Sequence, residues 1–389
     1  MSKKVIAAGH ICIDITPVFP NKKVTNIGDI LKPGKLIEMG KAEVSTGGSV
    51  ANTGLAMKVL GADVTLMGKL GNDEFGDMIC GILDKYDAAS GMIRSDEVST
   101  SYSVVIAVPG IDRIFLHNPG ANNNFHTEDI EENVLSDVAL FHFGYPTLMK
   151  SMYENDGEEL IALFKKVKSL GCATSLDLSA VDADSEAGQA DWRKILAGVI
   201  PYVDFFVPSV EELCFMLNRE CFNEWQQRAA GGDITEILDL ENDIKPLAEK
   251  CMDLGAKVLL LKCGKAGMYF CSANADVLVG NSKSVDSDRS DLKNIGISER
   301  IDLDIGGWAN QSIFEKSYIP DRVLSGTGAG DTSIAAFLTA MLNGETPAMS
   351  LHLAAATGAS CVEAYDALSG LKSFDELKAK IDSGWEKYQ

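Results

Sequence analysis

VALFHFGYP (138–146), GEELIALFKKVKSLG (157–171) and CATSLDLS (172–179) open a run that continues through DWRKILAGVIPYV (191–203), DFFVPS (204–209), VEELCFMLN (210–218) and KVLLLKCG (257–264). Short, almost wholly apolar segments alternate here with segments whose apolar residues recur at helical spacing. That alternation predicts buried parallel strands joined by right-handed helical crossovers, with helices on both faces of the sheet. The expected fold is a three-layer α/β/α sandwich with a central, mostly parallel sheet. Open sheets grow by insertion, so one domain is expected over residues 1–389.

Working outward, KKVIAAGHICIDI (3–15) reads as a first strand ending between Gly9 and Asp14. Asp14 interrupts the apolar run and no small-residue cleavage site follows, which favours a buried strand over a signal peptide. Residues 16–46 contain Pro17, Pro20 and Pro33 and a strand-like KLIEMGKAEVST (35–46), and do not read as core sheet. TSYSVVIAVPGIDRIFLHNPG (100–120) alternates and turns, which predicts a hairpin away from the parallel core. The polar stretch 280–312 has no clear period and is expected to be an irregular insertion.

The chain carries 56 acidic against 35 basic side chains, a net charge of -21. Such a surface repels nucleic acid, and no membrane association is expected. Any phosphate ligand must be held by local positive potential from backbone N–H groups, a metal or a few placed bases. The nine cysteines lack metal-type spacing and fit reduced thiols in the cytoplasm.

SGTGAGDTSIAAFLTAML (325–342) sets three glycines within five positions, then an acid, at the mouth of an apolar helix. Gly326, Gly328 and Gly330 let successive N–H groups converge on an anion, and the helix dipole adds to the attraction. A carboxylate at Asp331 makes sense there if it takes a proton from a hydroxyl that attacks the phosphate. Taken alone, a plain glycine turn with an acid in the first helical turn explains the stretch equally well. In STGGSVANTGLAMKVLG (45–61), Gly47 and Gly48 allow close backbone approach, and Asn52, with Asp14, suits vicinal hydroxyls that both donate and accept. The alternative is a helix-capping turn with Asn52 bonded locally.

Together, GGSVANTGLAMKVLGADVTLMGKLGNDEFG (47–76) and GTGAGDTSIAAFLTAML (326–342) resemble the two signature motifs of the ribokinase/PfkB family of carbohydrate kinases. The similarity continues through GHICIDI, FLHNPGAN, FVPSVEEL, LKCGKAGMYF and AAATGASCVEAYDALSGL, covering most of the chain in the family's order. The resemblance implies an ATP- and Mg²⁺-dependent kinase acting on a sugar-like hydroxyl. Asp331 would be the base, and Gly328, Ala329 and Gly330 the anion hole. Asp14, Gly47, Gly48 and Asn52 would hold the substrate, with Asn122 of the PGAN turn touching it from a small β lid built from about 16–46 and 98–122. Lys262 would reach the ATP phosphates, Gly264 and Gly267 would shape the nucleotide-side loop, and Thr327 would stand beside the cofactor.

Two departures from the family pattern stand out. The usual Asn-x-x-Glu is here Ser209-Val210-Glu211-Glu212, which keeps Glu212 for the metal through water. Ser325 stands where many relatives have aspartate, which puts activation by a monovalent cation such as K⁺ in doubt. By analogy a homodimer through the lid is expected. The acceptor stays open among ribose, fructose, a 2-keto-3-deoxy acid and a nucleoside, for which Phe19, Phe115, Phe125 and Tyr145 are candidate base-stacking walls. The lack of arginine near Asn52 favours a neutral acceptor, although Arg94 or Arg113 could supply a cation. His142 reads as a cleft-facing or a core histidine. A non-catalytic sugar-binding regulator on the same fold is the alternative from another class.

Overall fold

Alternate residues of each central strand feed two separate cores, so Val5 and Ala7 pack on one side of the sheet and Ile6 and Ala8 on the other. Val258 and Leu260 divide from Leu259 and Leu261 in the same way. In the computed structural model, which describes residues 3–20, 23–111, 113–280 and 294–388, these strands lie in one eight-stranded sheet. Its order is Ser312–Lys316, Gly267–Ser272, Val258–Lys262, Phe205–Phe206, Ala173–Asp177, Val138–Gly144, Lys4–Gly9, Asp63–Met67. Every pairing from Val258–Lys262 to Asp63–Met67 is parallel, and the last two strands at the other edge pair antiparallel.

One face is covered by helices Ser49–Val59, Ala329–Leu342 and Pro347–Cys361, the other by Glu158–Ser169, Trp192–Val199, Val210–Leu217 and Lys245–Asp253. Every residue from Asp331 to Leu342 is buried, as befits a helix that is apolar nearly all round. No helix among the described residues is long and apolar enough to cross a membrane.

A smaller, four-stranded sheet has the order Glu43–Gly47, Cys12–Thr16, Tyr102–Ile106, Ile114–Asn118. It corrects the expected first strand. Lys4–Gly9 ends at a glycine with φ 126°, where a Cβ would lie 2.2 Å from the Gly144 carbonyl oxygen. The chain turns there, and Asp14 belongs to the smaller sheet rather than to the tip of the first core strand. The strand expected over 35–46 is confined to Glu43–Gly47, and a 3-10 turn at Ile27–Asp29 precedes it. Tyr102–Ile106 and Ile114–Asn118 form the hairpin.

Of the stretch 280–312, residues 281–293 lie outside the described residues. The rest is docked rather than irregular. Ile297, Ile301 and Trp308 are buried, and Arg300 donates to the carbonyls of Val138 and Leu170 at 2.9 and 2.8 Å.

Candidate active site

The glycine loop meets the helix at Gly328, whose φ of 76° and contact with Ala367 (2.4 Å from a would-be Cβ) leave room for no side chain. Among the described residues no side chain caps this helix, and its first N–H, that of Ala329, makes only a long 3.4 Å bond to the Gly326 carbonyl. Gly328, Gly330 and Asp331 line a cavity of about 250 Å³ together with Tyr145, Lys262 and Glu212.

Asp331 is 5% exposed. Its carboxylate accepts from the Tyr145 hydroxyl at 2.8 Å (Oδ1) and 2.9 Å (Oδ2), from Asn52 Nδ2 at 3.0 Å and from Thr53 Oγ1 at 3.3 Å. Burial raises its pKa, while the Lys262 charge and the three donors pull it back.

Lys262 ends the strand Val258–Lys262, and its Nζ donates to Asp177 Oδ1 at 2.7 Å, at the tip of Ala173–Asp177. Nζ also lies 3.8 Å from where a Cβ on Gly330 would stand. Three acids, Asp177, Glu212 and Asp331, surround this one ammonium. Burial works against the charged lysine, but the acids outweigh it and hold its pKa raised. Asp177 is pushed up to about 8, first by burial, then by Glu212 and Asp331 against the pull of Lys262. Its Oδ2 has no partner among the described residues.

Ser209 and Glu212 form a reciprocal helix cap, Ser209 N–H to Glu212 Oε2 at 2.9 Å and Glu212 N–H to Ser209 Oγ at 3.4 Å. Serine is therefore well suited to this position. Gly264, with φ 54°, lines the cavity, and a Cβ there would come within 2.5 Å of Thr235 Oγ1. Gly267 lies in the strand Gly267–Ser272, where a Cβ would stand 2.0 Å from the Glu315 carbonyl oxygen. Close strand approach explains that glycine. Ser325 Oγ accepts from Thr327 N–H at 3.1 Å, and Thr327 Oγ1 accepts from Arg113 of the smaller sheet's hairpin.

The other wall faces the smaller sheet. Asp14 rests against Gly47, where a Cβ would meet its Oδ2 at 2.3 Å, and burial raises its pKa against bonds from Cys12 and Ser103. Gly48, with φ 88°, begins the helix that carries Asn52 and packs on His10. His10 Nε2 lies 3.4 Å from His117 Nε2, and His117 Nδ1 lies 3.0 Å from Ser103 Oγ. His10 Nδ1 has no partner among the described residues. The pattern therefore puts the His10 proton on Nε2, donating to His117, which in turn donates from Nδ1 to Ser103. Burial, then the neighbouring His117, lowers the His10 pKa to about 3, and burial lowers that of His117. Asn122 accepts from Ile11 N–H at 3.1 Å and donates to Ile11 C=O at 2.9 Å, so its amide is occupied by backbone. His142 is buried within Val138–Gly144, with Nδ1 3.0 Å from Ser175 Oγ.

Asp331, Gly328, Gly330, Lys262, Gly264 and Glu212 thus come together at one cavity, while Asp14, Gly47, Gly48 and Asn52 gather beside it. Sequence reasoning missed Thr53, Asp177, His10 and His117 as site residues, and treated Tyr145 only as an aromatic wall. Asp177 had a usable signal, an acid at the carboxyl end of a parallel strand, where ligands of open α/β sheets bind. Tyr145 shows its peculiarity only in the backbone, with φ 65° and ψ 44°.

A family model described as pfkB family carbohydrate kinase matches residues 3–287 and 308–373. The ATP-dependent 6-phosphofructokinase of Thermoanaerobacterium thermosaccharolyticum is 23% identical over 375 residues, 94% of this chain and 96% of that one. The probable fructokinase-2 of Arabidopsis thaliana is 28% identical over 148 residues, 37% of this chain, and the match spans only 41% of that relative's length. Among solved structures, Arabidopsis thaliana ribokinase complexed with ribose and ATP superposes with a TM-score of 0.65 at 18% identity, covering 97% of this chain and 98% of that one. Fructokinase with bound ATP from Xylella fastidiosa gives 0.66 at 17% identity, covering 98% and 99%.

Proposed function

This chain belongs to the pfkB family of carbohydrate kinases, and from that premise we propose that it transfers the γ-phosphoryl group of ATP to a hydroxyl of a neutral sugar or sugar-like molecule. One observation carries the reading. A buried carboxylate, Asp331, stands in the first turn of a glycine-opened helix with the Lys262 ammonium beside the same turn. A hydroxyl and a phosphate can be served from that one point.

Asp331 takes the acceptor proton as the hydroxyl oxygen attacks phosphorus, and burial makes it a stronger base than a surface aspartate. The N–H groups of Gly328, Ala329 and Gly330 stabilise the charge on the moving phosphoryl oxygens, with the helix dipole behind them. Lys262 adds a point charge that can move from Asp177 to phosphate. Glu212 and Asp177, whose Oδ2 has no partner among the described residues, both line the cavity and would hold Mg²⁺ through carboxylate oxygens, the kind of ligand it takes alongside water and phosphate. When bound, the ion neutralises charge on the nucleotide's phosphates. The smaller sheet acts as a lid that keeps water out, and the Arg113–Thr327 contact ties it to the anion-hole loop.

On the acceptor side stand Asp14, Asn52 and the uncharged imidazoles of His10 and His117, while the Arg113 guanidinium of the lid is engaged by Thr327. That chemistry favours a neutral polyol over a sugar phosphate, which Asp14 would repel. The test is ADP release from MgATP across neutral pentoses and hexoses, sugar acids, fructose 6-phosphate and nucleosides, with Asp331→Asn as control. Strong turnover with a neutral sugar, lost in the variant, is the expected result; turnover confined to fructose 6-phosphate would overturn the neutral-acceptor assignment.

A further inference from the structure

The cavity side of the Asp331 carboxylate is covered before any sugar arrives. An ionised carboxylate offers about four acceptor positions, two on each oxygen. Asn52 takes one on Oδ2 and Thr53 one on Oδ1, both from the helix Ser49–Val59. The Tyr145 hydroxyl lies 2.8 Å from Oδ1 and 2.9 Å from Oδ2, and Tyr145, unlike Asn52 and Thr53, lines the cavity. Its one proton is shared between the two oxygens, and the phenol oxygen stands on the cavity side of both, where a reacting hydroxyl has to come. A base in that state is screened from the cavity by the phenol.

Asn52 and Thr53 already orient the carboxylate without the phenol. Its placement also carries a backbone cost. Tyr145 sits in the left-handed region, unusual for a bulky residue, directly before Pro146, and such strain gathers at functional positions. Burial keeps the hydroxyl protonated, so it remains a donor to Asp331.

We propose that Tyr145 is a gate on the catalytic base: in the sugar-free enzyme its hydroxyl occupies the place of the acceptor hydroxyl, and the arriving acceptor must displace it before Asp331 can act. The proposal rests on the reading of Asp331 as the base. Its consequence is control over water. In ATP hydrolysis a water oxygen bonds to the γ-phosphorus, the bond to the β-phosphate oxygen breaks, ADP leaves and the water proton passes to the base. With Tyr145 in place the water cannot reach the carboxylate from the cavity side. A sugar anchored at Asp14 and Asn52 can outcompete the phenol, whereas a lone water lacks those anchors.

Tyr145→Phe tests this, because it removes one oxygen and keeps the ring that packs 6.2 Å from His10, centroid to centroid. Phosphate release from MgATP without sugar is expected to rise at least about tenfold over wild type, and to fall back in the double variant with Asp331→Asn. D-fructose or D-ribose, titrated calorimetrically without nucleotide, is expected to bind about threefold or more tightly, since no phenol must be displaced. Hydrolysis that stays at the wild-type level overturns the gate, whatever sugar binding does. A rise that survives Asp331→Asn overturns it too, because the unmasked base would then not be the cause. The assay needs no sugar, so it is read even if the acceptor panel fails. Failure of the underlying reading looks different: wild type then phosphorylates no sugar at all.

Discussion

The two walls of the cleft are built in different ways. On the side proposed to hold the phosphoryl group one contiguous stretch, 325–331, carries the glycine loop and the residues proposed as anion hole and base, and neighbouring strand ends add Lys262 and Asp177. That wall is dense in charge, with three acids around one ammonium. The acceptor side is gathered from four separate segments, carrying His10 and Asp14, then Gly47 to Asn52, then Ser103, then His117. It presents one acid among neutral hydrogen-bonding groups. The contrast matches the work proposed for each wall: moving a phosphoryl group needs preorganised charge, whereas recognising hydroxyls needs paired donors and acceptors.

The strongest way to break the comparison is Asp331→Asn. It is expected to lower kcat by about 10³-fold, within the range for losing a general base, while sugar affinity without nucleotide holds. Loss of sugar binding of the same size would mean that the walls are not separate. Next comes Lys262→Met, expected to lower kcat by about 10²-fold. Here the pH profile decides more than the rate. The ammonium lowers the Asp331 pKa, so removing it leaves the base protonated to higher pH, and the acid limb of kcat should move upward. A limb that stays put would separate Lys262 from the base electrostatically.

A third test concerns the acceptor wall through stability. His10 is held near 3 in the folded chain against about 6.5 when unfolded, so the unfolded state takes up a proton first as pH falls. The stability this neutral imidazole gives is fully present above about 6.5 and is lost as pH drops from there towards 3, by about 1.4 kcal/mol per pH unit. Asp177 has the opposite sign: its folded pKa of about 8 lies above the unfolded value, so the folded state gains relative stability as pH falls through that range. The clean measurement is therefore a difference. Between pH 6.5 and 5, wild type should lose about 2 kcal/mol relative to His10→Asn in denaturant unfolding. Equal slopes would show that His10 titrates alike in the folded and unfolded chain.

The same contrast explains what could be read in advance. Alternating strand and helix patterns between Val138 and Lys262 suffice for the layered fold, because each element's burial is written in its own residues. The glycine loop and Asp331 are legible for the same reason, being contiguous. The sequence puts Asp14 at the end of the first strand because VIAAGHICIDI is apolar almost throughout, and only Gly9 marks the turn that carries it to the smaller sheet. His10 and His117 stand 107 positions apart, and Tyr145 and Asp331 186, so those contacts exist only once the sheets are assembled. No local pattern encodes them.

Asn122 gives the smallest effect and the finest cut between the walls. Expected from the PGAN turn to touch substrate, its amide instead closes two bonds with the Ile11 backbone, between His10 and Cys12. Asn122→Ala would leave a buried N–H and C=O unpaired, at a cost of about 1–3 kcal/mol in stability. Because Ile11 links the His10 turn to the strand bearing Asp14, the acceptor KM should rise about threefold while kcat stays near wild type, since a shift there is uniform binding lost rather than chemistry. If Asn122 were a direct sugar ligand, the KM would rise with no change in the unfolding midpoint. If kcat fell with KM, the turn at Ile11 would be coupled to Asp331, and the two walls would have to be treated as one.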